Sequence, residues 1–218
     1  MDRSIDSAII GLKQKLLEMA NHVEQAVNAA SVALIEKNNQ KLEQVYRSED
    51  AVNKAHKDID EACMIMIATQ SPIASDLRWI LAIIKINTDL ERMADQACNI
   101  AFHVEELIKL PPVKPLVDLP KMAEEVRFMV RESLDAFVKR DLKLAEDVLG
   151  RDDAVDEKKD AILKEMKELM RQNPELVDAG FEMILVARNL ERIADHATNI
   201  AEDVIFAVSG KDIRHGGE

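Results

Sequence analysis

The sequence predicts an all-α fold of two tandem three-helix bundles related by an internal pseudo-symmetry, on three observations. Aromatics make up 3% of the 218 residues, with Gly 6 and Pro 6, while Ala, Leu, Ile, Met, Glu and Lys fill nearly every segment and strand formers never cluster. The run Leu90-Glu91-Arg92-Met93-Ala94-Asp95-Gln96-Ala97-Cys98-Asn99-Ile100-Ala101 returns as Leu190-Glu191-Arg192-Ile193-Ala194-Asp195-His196-Ala197-Thr198-Asn199-Ile200-Ala201, which marks a duplication. Between the copies, Pro111-Pro112-Val113-Lys114-Pro115, with Pro120 close behind, cannot continue a helix and reads as a linker. The expected layout is a first repeat over 1–110, a linker over 111–120, a second repeat over 121–209 and a tail over 210–218.

Each element follows from its apolar period. A first helix, 4–37, carries Ile5, Ile9, Leu12, Leu16, Met19, Val23, Val27, Ala30 and Leu34 at spacings of three and four, and Asn38-Asn39 breaks it. A second, 40–69, buries Leu42, Val45, Val52, Ile59, Cys63, Met66 and Ile67. It stops before Ser71-Pro72, where Ser71 is placed to cap the next helix and Pro72 to open it. The third helix directs Trp79, Ile83, Ile86, Leu90, Met93, Ala97, Ala101 and Val104 to the core, with Lys85, Arg92, Gln96 and His103 roughly opposite. The second half repeats this plan. Met19, Val23, Val27 and Ala33 match Met122, Val126, Val130 and Ala136, the capping Asn38 matches Asp141, and Gln70-Ser71-Pro72 matches Gln172-Asn173-Pro174. The offset drifts from 103 through 102 to 100, which confines small insertions to the turns of each half.

Composition excludes several classes of function. Net charge is −12, from 41 acids against 29 bases, and no Lys/Arg run offers a phosphate-backbone track, so nucleic acid is not expected as a partner. No apolar stretch approaches the ~20 residues that span a bilayer, and the start Met1-Asp2-Arg3-Ser4 has no secretory pattern. A soluble, cytoplasmic chain is expected. Cys63 and Cys98 are the two cysteines, and position 198 holds Thr, so neither a disulfide framework nor a symmetric thiolate site is indicated.

The chemistry-bearing feature is acidic. Glu91, Asp95 and Asn99, and again Glu191, Asp195 and Asn199, stand four apart, so each trio climbs one helix face by about 6 Å per step. Leu77, Leu81, Ile84 and Phe102 share that side, and two acids at i and i+4 repel increasingly as water is removed unless a cation lies between them. A second matched set sits on each middle helix: Glu49, Asp50 and Asn53 correspond to Asp152, Asp153 and Asp156. In an antiparallel bundle these can lie beside the ladders and supply metal ligands from two helices. The alternative is a charged helix flank with Arg92 and Arg192 as counter-charges. The oxygen-rich, thiolate-free set suits hard or borderline cations, iron first, with Mn, Mg, Zn or Ca as alternatives. No His follows a Glu by three positions, which sets aside the Glu-x-x-His pattern of di-iron bundle enzymes.

The duplicated Leu-Glu-Arg-(Met/Ile)-Ala-Asp-x-Ala-x-Asn-Ile-Ala signatures, with Gln70-Ser71-Pro72-Ile73-Ala74-Ser75-Asp76-Leu77-Arg78, resemble the PhoU family of phosphate-signalling proteins over nearly the whole chain. The resemblance implies two PhoU repeats and a cytoplasmic, often dimeric, non-enzymatic protein. It further implies negative regulation of the phosphate-starvation response, exerted between a high-affinity phosphate transporter, through its ATPase subunit, and a sensor histidine kinase. It also implies metal clusters on the Glu/Asp-x-x-x-Asp pairs, here Glu91 with Asp95 and Glu191 with Asp195. The second half has Val177-Asp178-Ala179-Gly180 where the first has Ser75-Asp76-Leu77-Arg78, so the latter is either a partner contact unique to one half or a helix cap. A metal-dependent hydrolase or oxidase on a helical bundle is the competing reading from residue chemistry, and a plain helical scaffold the third. The residues identify no general base, nucleophile or substrate pocket for the enzyme.

Overall fold

A computed structural model describes residues 4–113 and 118–213. The chain forms α1 (Ser4–Glu36), α2 (Asn39–Gln70), α3 (Ala74–Lys109), α4 (Asp118–Lys139), α5 (Leu142–Leu149), α6 (Asp152–Gln172), a 3-10 turn (Pro174–Leu176) and α7 (Val177–Ser209), with no strand among the described residues. Linker residues 114–117 and tail residues 214–218 lie outside the described residues. In each half the helices pack on one another: α1, α2 and α3 in the first, and α4, α5–α6 and α7 in the second.

Local chemistry sets the helix ends. Asn38 accepts from Gln40 N–H at 2.9 Å to start α2, and its counterpart Asp141 accepts from Lys143 and Leu144 N–H at 3.0 and 3.1 Å to start α5. Lys37, Ser71, Arg140 and Gly210 follow the ends of α1, α2, α4 and α7 in the left-handed region, with φ of 51°, 47°, 56° and 76°. Ser71 thus closes α2 and does not cap α3, which opens at Ala74 after Ile73. The start of α3 is held by Asp76, whose carboxylate accepts from Ile73 N–H at 3.3 Å. Asp76 is buried, and Arg78 lies half-buried against Gly210 at the end of α7, so these two belong to the structure of the helix start, while Ser75 and Leu77 of the same run are exposed.

Two other boundaries differ from the sequence reading. α4 begins at Asp118, which puts Pro120 in its first turn, where a missing N–H has no helical partner to lose. The middle helix of the second half is broken in two at Gly150 and Arg151, before Asp152.

The core is aliphatic, with Leu16, Met19, Ile59, Ile83, Ile86, Leu90, Met93, Met122, Met129, Phe137 and Ile193 among its fully buried side chains. Ile67, expected inside, is 38% exposed, since the register of α2 buries Met66 instead. Trp79 is half-buried where α1, α3 and α4 meet, edge-on to Phe137 at 5.8 Å, with Lys13 Nζ 3.7 Å and Arg140 Cζ 4.6 Å from its ring centre.

The most extensive helix pairing is α3 with α7, across the two halves. It runs antiparallel and carries a polar seam. Lys85 Nζ meets Asp203 Oδ1 at 3.0 Å, His196 Nδ1 meets Asp89 Oδ1 at 2.8 Å, Asn199 donates to the same oxygen at 3.2 Å, and His103 Nδ1 meets Glu182 Oε2 at 2.7 Å. Lys85, Gln96 and His103, expected opposite the core, are half-buried here, and of that stripe Arg92 alone faces solvent. The two halves are therefore joined through a second buried surface of the same helices that carry the ladders.

Candidate functional site

The acids of the ladders, Asp95 on α3 and Glu191 and Asp195 on α7, lie beside carboxylates of the middle helix of their own half. In the second half, α6 and α7 bring Asp152 and Asp156 beside Glu191 and Asp195. Burial raises the Asp195 carboxyl to about 6, and the neighbouring Glu191, Asp152 and Asp156 push the same way. Asp152 is raised as well, by burial, then by Asp156, Asp153 and Glu191, with Lys159 opposing. Lys159 is the nearest counter-charge. Its Nζ lies 3.0 Å from Asp156 Oδ1, 3.2 Å from Glu191 Oε1 and 3.6 Å from Asp160 Oδ1. The hydrogen bonds to Asp156 and Glu191 hold this ammonium above the ordinary lysine range.

The first half has the same plan with different occupants. Glu49, Asp95 and Asp50 converge on Cys98: burial first, then these three charges, push its thiol up to about 12. Asn53 donates to Glu49 one turn away, and Glu91 is half-buried alongside. At the position matching Lys159 stands His56, whose Nε2 lies 3.4 Å from Asp60 Oδ2 and whose Nδ1 lies 3.3 Å from Asn87 O. Cys63 is buried, and its thiol is pushed up to about 11, mainly by burial. Both thiols are therefore held in the protonated form at neutral pH.

Not every residue in the sequence-derived set joins these seams in one way. Asn199 is drawn to Asp89 in the α3–α7 interface, so it is turned from the Glu191–Asp195 pair. Asp50, Asp153, Asp156, Asp95, Asp195 and Asn99 are exposed, whereas Glu49, Asn53, Asp152, Glu91 and Glu191 are half-buried. Among the described residues no three His, Cys, Asp or Glu side chains are gathered tightly enough to form a finished metal cage. What the fold supplies is two elongated acid seams, one per half. Their donors are oxygens of carboxylates and side-chain amides, the set that hard multivalent cations take, so the chemistry of the donor set fits a metal.

Sequence reasoning missed the groups that bond across the halves. Asp89, Asp203 and Glu182 gave no duplication signal, because positions 189, 103 and 82 hold Asn, His and Ala.

Known proteins share this sequence and arrangement. The family model described as the PhoU domain matches residues 16–104 and again 119–204. A phosphate-specific transport system accessory protein PhoU homolog from Pseudomonas putida is 38% identical over 207 residues, covering 94% of this chain and 81% of the relative. One from Aquifex aeolicus is 38% identical, covering 93% and 92%. The crystal structure of PhoU from Pseudomonas aeruginosa superposes with a TM-score of 0.92 at 36% identity, covering 95% of this chain and all of that one. The phosphate transport system regulatory protein PhoU from Streptococcus pneumoniae superposes at 0.88 with 26% identity, covering 96% and 99%.

Proposed function

Because the chain belongs to the PhoU family, we propose that it is a non-enzymatic negative regulator of the phosphate-starvation response, working in the cytoplasm. It couples a high-affinity phosphate transporter, through the ATPase subunit, to a sensor histidine kinase. The observation that carries this is the tandem repeat matching, over nearly its whole length, proteins named as accessory to phosphate-specific transport. No helix among the described residues is long and apolar enough to cross a membrane, which agrees with an accessory protein acting on membrane partners from outside the bilayer.

Long helices present extended side-chain surfaces suited to partner helices, and net charge −12 favours a basic partner face over nucleic acid. Exposed Leu77, Leu81, Phe102, Val177 and Phe181 on α3 and α7 add apolar contact area for such a partner or for a second copy in a homodimer.

The acid seams are proposed as metal sites. Glu91, Asp95, Glu49, Asp50 and Asn53 with Asn99 would hold a cation in the first half, and Glu191, Asp195, Asp152, Asp153 and Asp156 in the second, where Asn199 is engaged by Asp89. Iron is the first choice, with Mn, Mg, Zn or Ca as alternatives. The ion would neutralise crowded carboxylates and fix α2 to α3 and α6 to α7, a structural service to the partner surfaces.

Two experiments test the reading. Purified chain should capture the transporter ATPase or the sensor kinase from solubilised membranes of phosphate-replete cells; capture of neither contradicts it. Elemental analysis of protein purified without added metal should show metal, lost when Glu91, Asp95, Glu191 and Asp195 are all replaced by Ala. Unchanged metal content in that variant overturns the metal assignment.

A further inference from the structure

Trp79 carries two cations at once. Lys13, on α1, brings Nζ to 3.7 Å from the ring centre, and Arg140, just past the end of α4, brings Cζ to 4.6 Å. Phe137 stands edge-on to the same ring, with Lys13 Nζ 5.5 Å from its own centre. The indole attracts both charges and holds them in place, but it neutralises neither.

No carboxylate completes the cluster. Lys85, Lys139, Arg151 and Lys159 are each met by an acid, whereas neither Lys13 nor Arg140 makes an ion pair among the described residues. The charged group that acts on Lys13 is instead another cation: burial, then Arg140, lowers its amine to about 8, so it stays mostly protonated at neutral pH. Acids outnumber bases 41 to 29 in this chain, so two half-buried or surface cations left side by side without an acid mark a place where negative charge can come from outside. The net charge of −12 does not cancel that local field, because fields from distant surface charges fade over about 8 Å at physiological ionic strength.

The donors also define the shape of the ligand. A guanidinium is a planar fork suited to two oxygens, and an ammonium adds a rotatable third donor. Both groups touch one ring, so a single ligand at its edge reaches both. A tetrahedral dianion offers enough oxygens for the fork and the ammonium together, and its two charges turn the repulsion between the cations into two attractions. Chloride offers neither.

We propose that Lys13 and Arg140, framed by Trp79 and Phe137, bind a small tetrahedral dianion of the phosphate and sulfate class at the junction of α1, α3 and α4. The anion ties the first helix of one half to the first helix of the other, which gives the protein an input from a free solute besides its protein partners. The site shares no residue with the acid seams and does not depend on the metal reading.

The test uses the full-length protein, stripped with chelator so that no metal carries the anion. Emission of Trp79 is titrated at pH 7 with phosphate and with sulfate, against sodium chloride of matched ionic strength, and calorimetry reads the affinity. Both dianions should give a saturable change that chloride does not. Lys13→Met and Arg140→Met should each weaken binding more than tenfold in protein of wild-type helicity, while Lys13→Arg, which keeps the charge, should stay within a few-fold. Sulfate remains doubly charged between pH 7 and 9.5. In saturating sulfate the Lys13-linked transition near pH 8 should therefore move up by about one pH unit, the consequence of a tenfold preference for the charged amine. Emission that follows ionic strength alone overturns the proposal. So does dianion binding that both Met variants leave unchanged, since the ion then sits elsewhere, or a transition that sulfate does not move.

Discussion

Lys13 shows how a side chain's surroundings set its charge. It lies against Trp79 and Phe137, and burial, followed by the nearby Arg140, lowers its amine to about 8. Trp79 is the one tryptophan of the chain, so its emission reports this titration directly. Emission should change with a midpoint near pH 8 and lose that transition in Lys13→Met; a flat profile between pH 7 and 9.5 in the wild type would contradict the assigned contact. Asp195 runs the other way. Its folded pKa of about 6 lies above its ordinary value, so the ionised form is disfavoured by folding. Stability from this group is full below about pH 4 and is lost as pH rises through 6. With chelator present, Asp195→Asn should therefore stabilise the protein at pH 7.5 by under about 1 kcal/mol, an amount discounted for the exposure of this side chain, and have no effect at pH 4. Urea unfolding at the two pH values checks this. The ladder acids were legible in the sequence because duplication repeats them. Lys159 was not, because the matching residue is His56 and a difference between copies looks like drift until both are placed in space.

At the scale of elements, the periodicity of three and four located the three helices of the first half and duplication carried the plan to the second, where the middle helix is two, α5 and α6; capping chemistry located two starts correctly. Asp141→Ala removes the acceptor for two N–H groups and should cost about 1 kcal/mol, read as a lower urea midpoint with unchanged m-value. The misread boundaries share one cause. Ser and Pro mark a chain reversal without saying which side of it they serve: Ser71 ends α2 instead of starting α3, and Pro120 starts α4 instead of preceding it. The core stripes of α1 and α4 tolerate no such ambiguity. Leu16→Ala, at a 1% exposed position, should cost about 2–5 kcal/mol in the same unfolding assay.

For the whole molecule, the consequential contact is α3 with α7, which makes the two repeats one unit. An amphipathic pattern shows that a face is buried but does not name what buries it, so the half-buried Lys85, Gln96 and His103 read as a solvent stripe in sequence. Their partners lie 79 to 118 positions away for His103 and Lys85. Asp89→Ala would leave His196 and Asn199 without their shared acceptor and should cost about 1–3 kcal/mol, and the loss should appear in a single transition for both halves rather than in one of them. The α3–α7 contact gives such a regulator a path from one half to the other. The most direct measurement of that role is expression of a phosphate-starvation reporter in a strain lacking this chain, grown in abundant phosphate and complemented in trans. The reporter should be switched on in the deletion and silenced by the wild-type chain; a reporter that stays off without the protein would contradict negative regulation of the phosphate response.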